Sequence, residues 1–381
     1  MIDTKTAIEK ITNGEFDNLF TDIYIDSSMI DYQKKRYVHA IEQYETIFCP
    51  DKVAIFSAPG RSEVCGNHTD HQHGMVLATS INLDTIAVSA KNNNDVVRFV
   101  SDGYDMITLN INDLEVNDDE AGTTVSLIRG VLRGLKDHGY KIGGFNAYAT
   151  SDVLVGAGLS SSAAFEVVVG TIISGLYNDM KINSVEIAQI SQYAENVFFK
   201  KPCGLMDQMA CSVGGMVNID FKDPTKPIVK KVPTEFEKYD YSLCIVDTKG
   251  DHVDLTDDYA MIPSEMKKVA NFLGEDYLRD CDSNEFYIRL DEIREAVGDR
   301  PVLRAIHFFN EEYNVKNAVS SLENGKFVEF LDAIRKSGNS SFKYLQNVYT
   351  TRDIQHQNIS VALALSESLL RNYGVCRVHG G

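Results

Sequence analysis

Residues 154–170, LVGAGLSSSAAFEVVVG, decide the fold of this chain. Two glycines flank an alanine, three serines follow, and a long apolar segment then begins. A glycine-rich loop that leads into a helix presents unpaired backbone N–H groups and the positive end of the helix dipole, which together favour phosphate. No lysine follows the last glycine, so the loop is not of the Walker A type. The pattern predicts either a polyphosphate site or a serine-capped helix packed on small residues.

A polar loop precedes this stretch. Residues 65–74, CGNHTDHQHG, contain three histidines and an aspartate, which are residue types that bind divalent metals. The spacing H-x-D-H-x-H matches no helix-face motif such as HExxH, and the remaining histidines are isolated. The alternatives are a metal site and a loop that binds a polyhydroxylated ligand. The sequence favours the second, with Arg61 just upstream to position a phosphate.

A third stretch, residues 194–215, carries two carboxylates. Glu195 lies near the end of a predicted helix, and Asp207 lies just past a Pro-Cys-Gly turn. One carboxylate can bind a metal while the other faces a hydroxyl. The alternative is a surface glutamate and a helix-capping aspartate.

Composition limits the class of protein. The chain has 381 residues, long for one core, so we expect two domains, with a boundary near residues 224–240. A formal charge of −18 repels nucleic acid and anionic membranes. No apolar run approaches the roughly 20 residues of a membrane span, and no signal pattern opens the chain. Seven scattered cysteines without a CxxC pair suit a reducing compartment. We expect a cytoplasmic protein with neither nucleic-acid nor membrane partners.

Periodicity predicts the main elements. Helical spacing occurs over 27–48, 125–139, 160–179 and 184–199, and residues after 255 are mainly helical. A strand pattern begins at residue 52 and runs into a Pro-Gly turn within 52–61. Further strand patterns occur over 75–91, 214–221 and 241–248.

Three stretches together resemble the galactokinases, a family of GHMP small-molecule kinases. APGRSEVCGNHTDHQHG, LVGAGLSSSAA and KPCGLMDQ resemble the sugar-binding signature, the phosphate motif and the catalytic-aspartate segment, in the family's order and spacing. The resemblance runs from about residue 50 to the end. It implies an α+β, two-domain GHMP kinase fold. A ribosomal S5 domain 2-like domain over 1–235 would bind sugar and nucleotide phosphate, and a ferredoxin-like GHMP domain would occupy 236–381, incomplete at its C-terminus.

The implied reaction is ATP-dependent phosphorylation of galactose at its anomeric C1 hydroxyl, with ATP and Mg²⁺ as cofactors. The oligomeric state is not indicated. By position, the resemblance implies catalytic residues Asp207 and Arg61; sugar contacts Asn67, His68, Asp70, Gly204 and Tyr259; a phosphate loop of Gly156, Ala157, Gly158, Leu159, Ser160, Ser161, Ser162 and Ala163; and Mg²⁺ ligands Ser162 and Glu195.

The chain departs from the family pattern at three places. Asn67 replaces the family's usual glutamate, Leu154 replaces a proline, and residues 374–381 resemble the start of a third glycine-rich motif, as in a truncated chain. A carboxylate at position 67 would repel a C6 carboxylate on the sugar. The asparagine therefore predicts relaxed selectivity at C6, with galacturonate or arabinose as alternative substrates.

A different class of function stays open. Some relatives of galactokinases are non-catalytic sugar and ATP sensors, and such sensors lack part of the serine-alanine run. Here GLSSSAA is intact and Asp207 is present, which favours an enzyme.

Overall fold

A computed structural model of the chain describes residues 1–49, 52–154, 156, 158–249 and 256–379. Its residues form two compact units, neither of which is contiguous in sequence. The first comprises Met1–Arg61, Ser80–Val155 and Ser160–Gly214, and the second comprises Ser62–Thr79, Gly156–Leu159 and Gly215–Gly381. Two domains were expected, but the final break lies at residue 214 rather than near 235.

The strands are β1 Ala54–Cys65, β2 Met75–Lys91, β3 Val96–Ser101, β4 Ile107–Asn110, β5 Phe145–Ser151, β6 Met216–Asp220 and β7 Ile228–Lys231. The helices are α1 Thr4–Thr12, α2 Asp17–Tyr24, α3 Ile30–Phe48, α4 Thr124–Asp137, α5 Ser161–Tyr177, α6 Ser184–Tyr193, α7 Met206–Val213, α8 Thr256–Phe272, α9 Ser283–Ile288, α10 Leu290–Val297, α11 Asp299–Glu323, α12 Phe327–Ser340 and α13 Asn358–Leu370. The predicted helices α3 to α6 and the strands β2 and β6 are confirmed. Among the described residues, no helix is both long and apolar enough to cross a membrane.

Strand β1 differs from the prediction. The sequence predicted a turn at Pro59–Gly60, but the strand continues through both residues to Cys65. Among the described strands β1 pairs only with β2, so it is an edge strand. A proline is tolerated there because an edge strand has one side without ladder hydrogen bonds. The continuation is what places Arg61 within a strand.

The predicted strand over residues 241–248 is wrong, because no strand is formed in that segment. Its apolar side chains Leu243 and Val246 are 44% and 64% exposed. An alternating apolar pattern becomes a strand only where a neighbour accepts its hydrogen bonds and covers one face. Neither condition is met here.

The first unit is built on a sheet with the strand order β4-β3-β5-β2. β2 pairs antiparallel with β5, from Thr85 opposite Ser151 to Lys91 opposite Phe145. Ala87 belongs to the core formed with α4, α5 and α6. Its neighbours Ile86 and Val88 belong to the core formed with α1, α2 and α3. Both faces of this part of β2 are therefore covered, which explains why residues 84–90 are buried without a break.

A buried ion pair connects α3 to this sheet. Arg36 donates from Nη1 to Asp84 Oδ1 at 2.6 Å, and Nη2 donates to the backbone oxygens of Asp84 and Thr150. Tyr24 donates its hydroxyl to Asp84 Oδ2 at 3.0 Å. The side chains of Arg36 and Asp84 are 5% and 3% exposed. Asp152 lies 3.1 Å from the same guanidinium and adds a second negative charge.

The second unit pairs residues 75–79 of β2 with β6, and β6 with β7. One core joins these strands to α11 and α12, and another joins α8 to α11. Beyond Lys231 the described residues form helices and turns but no strand.

We predict that Asp84→Asn lowers the free energy of unfolding by about 3 kcal/mol, because it leaves the buried Arg36 guanidinium with only Asp152 as a charge partner. Urea unfolding followed by circular dichroism measures the loss. Asp137→Asn is the matched control, since that side chain is 50% exposed and pairs with Arg133 on the surface of α4. Equal effects of the two substitutions would contradict the prediction.

Candidate functional site

The first cluster of polar side chains joins β1 to the first turn of α7. Arg61 donates from Nε to Asp207 Oδ1 and from Nη2 to Oδ2, both at 2.7 Å. Ser160 donates its hydroxyl to Asp207 Oδ2 at 2.5 Å. The two parallel N–H···O bonds match the planar fork of the guanidinium to the carboxylate, and they fix the orientation of Asp207. Both predicted catalytic residues are therefore in direct contact.

This contact decides the charge of Asp207. Burial opposes ionisation, but the charge and hydrogen bonds of Arg61, together with the hydroxyl of Ser160, lower the pKa of the Asp207 carboxyl below its usual value. The Arg61 side chain is 6% exposed and that of Asp207 is 29% exposed. A substrate hydroxyl can reach the carboxylate, while the arginine lies behind it. Such a carboxylate is suited to orienting a hydroxyl and to stabilising its departing proton.

A second cluster in the same unit surrounds Glu195, which lies in a π-helical turn after α6. Ser162 donates its hydroxyl to Glu195 Oε1 at 3.1 Å, and Lys201 lies at the same distance from that oxygen. Gln208 donates to Glu195 Oε2 at 2.7 Å. The two predicted metal ligands are thus adjacent. One carboxylate and one hydroxyl are hard oxygen donors of the kind that Mg²⁺ uses alongside phosphates and water, so these residues fit that ion.

The glycine-rich loop adopts the backbone that its sequence indicates. Gly156 and Gly158 have φ of +79° and +71°, and Ser160 caps α5 with φ of +59°. Ala157 lies outside the described residues. Leu159 is 3% exposed and Ala163 fully buried, so neither presents a side chain to a ligand. Any phosphate contact from those two positions would come from the backbone.

The histidine loop belongs to the second unit. The His68 ring lies 5.6 Å from the His71 ring and 5.0 Å from that of Tyr259, measured between centroids. Asp70 accepts the backbone N–H of His71 at 2.9 Å. The loop therefore brings His68, Asp70 and Tyr259 together. Gly204, the fifth predicted sugar contact, is part of the first unit.

His68 and the ring nitrogens of His71 are buried, which favours the neutral form of both imidazoles. Burial, followed by the charge of His71, holds the pKa of His68 well below its usual range. Burial and the neighbouring His307 lower the pKa of His71 to about 3. Nε2 of His68 and both ring nitrogens of His71 have no hydrogen-bond partner among the described residues. No three histidine, cysteine, aspartate or glutamate side chains in the described ranges are grouped as metal ligands. The hypothesis of a sugar-binding loop stays a prediction.

Asn67 does not present its side chain to a ligand. The residue is 0% exposed. Its amide donates to Glu63 Oε2 at 2.7 Å and its carbonyl accepts from Asn347 at 2.7 Å. A direct contact with the sugar, as the sequence led us to expect, would require these bonds to break.

Sequence reasoning missed three residues of the Glu195 cluster. Lys201 and Gln208 lie in the segment that was already singled out for Asp207, but their contacts with Glu195 could not be read from spacing. Glu166 lies one helical turn after Ser162 in α5, fully buried, and accepts from Gln208 at 3.3 Å. Burial and the charge of Glu195 raise the pKa of Glu166 well above its usual value. The sequence signal that could have revealed Glu166 is a single acidic residue within the apolar run of α5.

Two family models match the chain. The galactokinase galactose-binding signature covers residues 42–91, and the GHMP kinases N terminal domain covers residues 126–215. The chain is 29% identical over 309 residues to the galactokinase of Streptomyces coelicolor, and the alignment covers 79% of this chain and 77% of that protein. It is 29% identical over 316 residues to the galactokinase of Limosilactobacillus reuteri, covering 80% and 79%.

These matches make the chain similar to the galactokinases, a family of GHMP kinases. The galactokinase signature covers Arg61 and the histidine loop. The GHMP kinase match covers the glycine-rich loop, Glu195 and Asp207.

Solved structures share the GHMP kinase fold of this chain. The Lactococcus lactis galactokinase complexed with galactose superposes with a TM-score of 0.74 at 22% identity, covering 86% of this chain and 83% of that one. The Methanococcus jannaschii mevalonate kinase superposes with a TM-score of 0.52 at 16% identity, covering 87% and 88%.

The buried ring nitrogens of His71 predict that acid destabilises this protein. The unfolded chain protonates His71 at about pH 6.5, whereas the folded chain does so only at about pH 3. The stability that depends on neutral His71 is thus complete above pH 6.5 and is lost as the pH falls from there towards 3. For this residue the free energy of unfolding should fall by about 2 kcal/mol between pH 7 and pH 5.

Urea unfolding at the two pH values, in the wild type and in His71→Gln, measures this contribution. The loss on acidification should be smaller in the variant by about 2 kcal/mol, since glutamine does not titrate. The same loss in both proteins would show that His71 is not held neutral by the fold.

Proposed function

We propose that this chain transfers the γ-phosphoryl group of ATP to the anomeric C1 hydroxyl of galactose, giving galactose 1-phosphate and ADP. The bidentate Arg61–Asp207 pair carries the proposal, because it provides an ionised, oriented and partly exposed carboxylate. The galactokinase relatives and the galactose-binding signature indicate the sugar. Seven free cysteines fit a reaction in the cytoplasm.

Asp207 orients the acceptor hydroxyl. Its lowered pKa makes it a weak base, so it accepts a hydrogen bond from the C1 hydroxyl in the ground state and takes the proton as the new O–P bond forms. An anomeric hydroxyl is more acidic than an ordinary alcohol, and the phosphoryl-transfer transition state is loose. Full abstraction before attack is therefore not required.

Arg61 keeps Asp207 ionised and places one positive charge beside the reacting atoms. The attacking oxygen, the transferred phosphoryl group and the Asp207 carboxylate are all electron-rich. A fixed guanidinium behind the carboxylate reduces their mutual repulsion without reorganising during the reaction. In this mechanism most of the rate enhancement comes from positioning and neutralisation of charge.

The nucleotide phosphates would lie at the start of α5. The first-turn N–H groups of this helix, with the hydroxyls of Ser161 and Ser162, offer hydrogen bonds to phosphate oxygens. Ser162 and Glu195 would hold Mg²⁺, which supplies charge neutralisation to the phosphates when bound. Lys201, already paired with Glu195, adds a positive charge to the cluster.

The sugar hydroxyls would be bound by the imidazole of His68, the carboxylate of Asp70 and the ring of Tyr259. Neutral imidazole nitrogens without partners among the described residues can donate to and accept from hydroxyls. A neutral donor and acceptor set suits an uncharged hexose better than a charged one.

We predict that Asp207→Asn lowers kcat by about 10²–10⁴ while galactose still binds, because the substitution keeps the shape and removes the charge. Turnover is followed by the formation of galactose 1-phosphate with ³¹P NMR, and binding by calorimetry. Asp137→Asn, which also loses one exposed charge, should keep wild-type kcat. An Asp207→Asn protein with near-native turnover would remove Asp207 from the catalytic role.

We predict that Glu195→Gln raises the Mg²⁺ concentration needed for half-maximal activity at least about tenfold. Even substitution of residues that only contact the ligands of a metal lowers the metal affinity by about that factor. The titration is made at saturating galactose and fixed ATP. Glu115→Gln is the control, because Glu115 is 83% exposed and pairs only with Arg133 in the described ion pairs. An unchanged Mg²⁺ titration would show that Glu195 is not a ligand.

A further inference from the structure

The side chain of Asn67 makes several hydrogen bonds inside the second unit. Its amide nitrogen donates to Glu63, and its side-chain oxygen accepts from Asn347 and also from the hydroxyl of Ser341 at 3.3 Å. Its backbone oxygen accepts from Nε2 of His307 at 2.7 Å. These donors, His307, Ser341 and Asn347, come from α11 or from the segment after α12, far from the loop in sequence. Asn67 therefore anchors the loop to the helices.

Glu63 extends this anchor to a buried arginine. Its Oε1 accepts from Nη2 of Arg377 at 2.6 Å, while Oε2 accepts from Asn67. Glu63 is 2% exposed and the Arg377 side chain 6% exposed. Burial opposes the charge of Arg377, but Glu63 and Glu311 raise its pKa. The three side chains form a row of guanidinium, carboxylate and amide in which each donor faces an acceptor.

The anchor holds a strained backbone. Gly66 and His68, on either side of Asn67, have φ of +101° and +56°. A Cβ on Gly66 would lie 2.5 Å from the backbone oxygen of Met75. A left-handed conformation at a residue such as His68 costs of the order of 1 kcal/mol or more, and it persists only where surrounding contacts enforce it. The bonds of Asn67 are such contacts, together with those that Gly66 makes to Glu311 and Thr69 to Met75, so they contribute to fixing the backbone that carries the imidazole of His68.

We propose that Glu63 and Asn67 are a positioning pair that sets the His68–Asp70 segment for sugar binding, and that position 67 does not read the C6 group of the sugar. The proposal rests on the proposed function of the loop as the galactose site. It replaces the expectation that Asn67 relaxes selectivity at C6 by direct contact.

The pattern of donors and acceptors offers a sharp test. Asn67→Asp places a carboxylate against the Glu63 carboxylate, and Glu63→Gln places an amide donor against the Asn67 donor. In the double variant Glu63→Gln/Asn67→Asp, the glutamine donates to the aspartate and accepts from Arg377. The aspartate still accepts from Asn347 and Ser341. The exchange therefore conserves the total charge and satisfies every bond of the row.

The test compares kcat and the KM values for galactose and for ATP in the wild type, the two single variants and the double variant. Each single variant should raise the KM for galactose about tenfold, which corresponds to 1.4 kcal/mol, and leave the KM for ATP unchanged. The double variant should return the KM for galactose to within about threefold of the wild type, giving a large coupling energy. A double variant whose KM for galactose is as high as in the single variants would overturn the proposal. Single variants whose only change is a lower free energy of unfolding, with an unchanged KM for galactose, would also overturn it.

The same proteins decide whether position 67 faces C6. If it does, the new aspartate should repel a C6 carboxylate, and the double variant should raise the ratio of kcat/KM for galactose over galacturonate at least tenfold, about 1.4 kcal/mol. We expect a change of less than about threefold, because the charge is enclosed by its partners. A tenfold rise would overturn the second part of the proposal.

Calorimetric galactose binding separates this inference from the proposed function. A wild type that neither binds nor phosphorylates galactose would reject the function. An active wild type without coupling between positions 63 and 67 would reject only the positioning pair. Where a single variant does not fold, recovery of folding and galactose binding in the double variant is the supporting result, and a double variant that also fails to fold contradicts the pair.

Discussion

The bidentate contact between Arg61 and Asp207 is the constraint on which the candidate site depends. It requires β1 to continue past Pro59 and Gly60, so that the arginine is held by a strand and not by a loop. It also requires Asp207 to lie in the first turn of α7, where the helix dipole adds to the stabilisation of its charge. The serine run joins the same pair through Ser160. Strand, helix and glycine-rich loop thus converge on one carboxylate.

Local periodicity predicted the elements that are covered on both faces or along one helical face. β2 and the helices from α3 to α6 were found where the pattern placed them. It failed where an element depends on a neighbour: β1 tolerates Pro59 because it lies at an edge, and residues 241–248 lack a partner strand among the described residues. Such conditions are set by tertiary structure and leave no local signal.

The candidate site shows the same division. The resemblance of motifs pointed to Arg61, Asp207, Ser162 and Glu195, because these residues lie in short stretches with unusual composition. Their orienting partners could not be identified, since they are ordinary residues brought near by the fold. Asn67 shows how a residue is misinterpreted when its partners are unknown. Compared with its family position by position it seemed to have lost a charge, whereas the structure supplies that charge from Glu63, four residues earlier.

The second unit is built from segments that lie far apart in the sequence, and this has a consequence for synthesis on the ribosome. Residues 75–79 of β2 pair with β6, and Leu77 and Ala78 at its centre are fully buried. About 140 residues separate the two strands, from 79 to 220. At 5–20 residues per second, the apolar end of β2 waits about 7–28 s for its partner after it has been made. During that interval it is an uncovered apolar strand, so the nascent chain is the form of this protein with the greatest need for a chaperone.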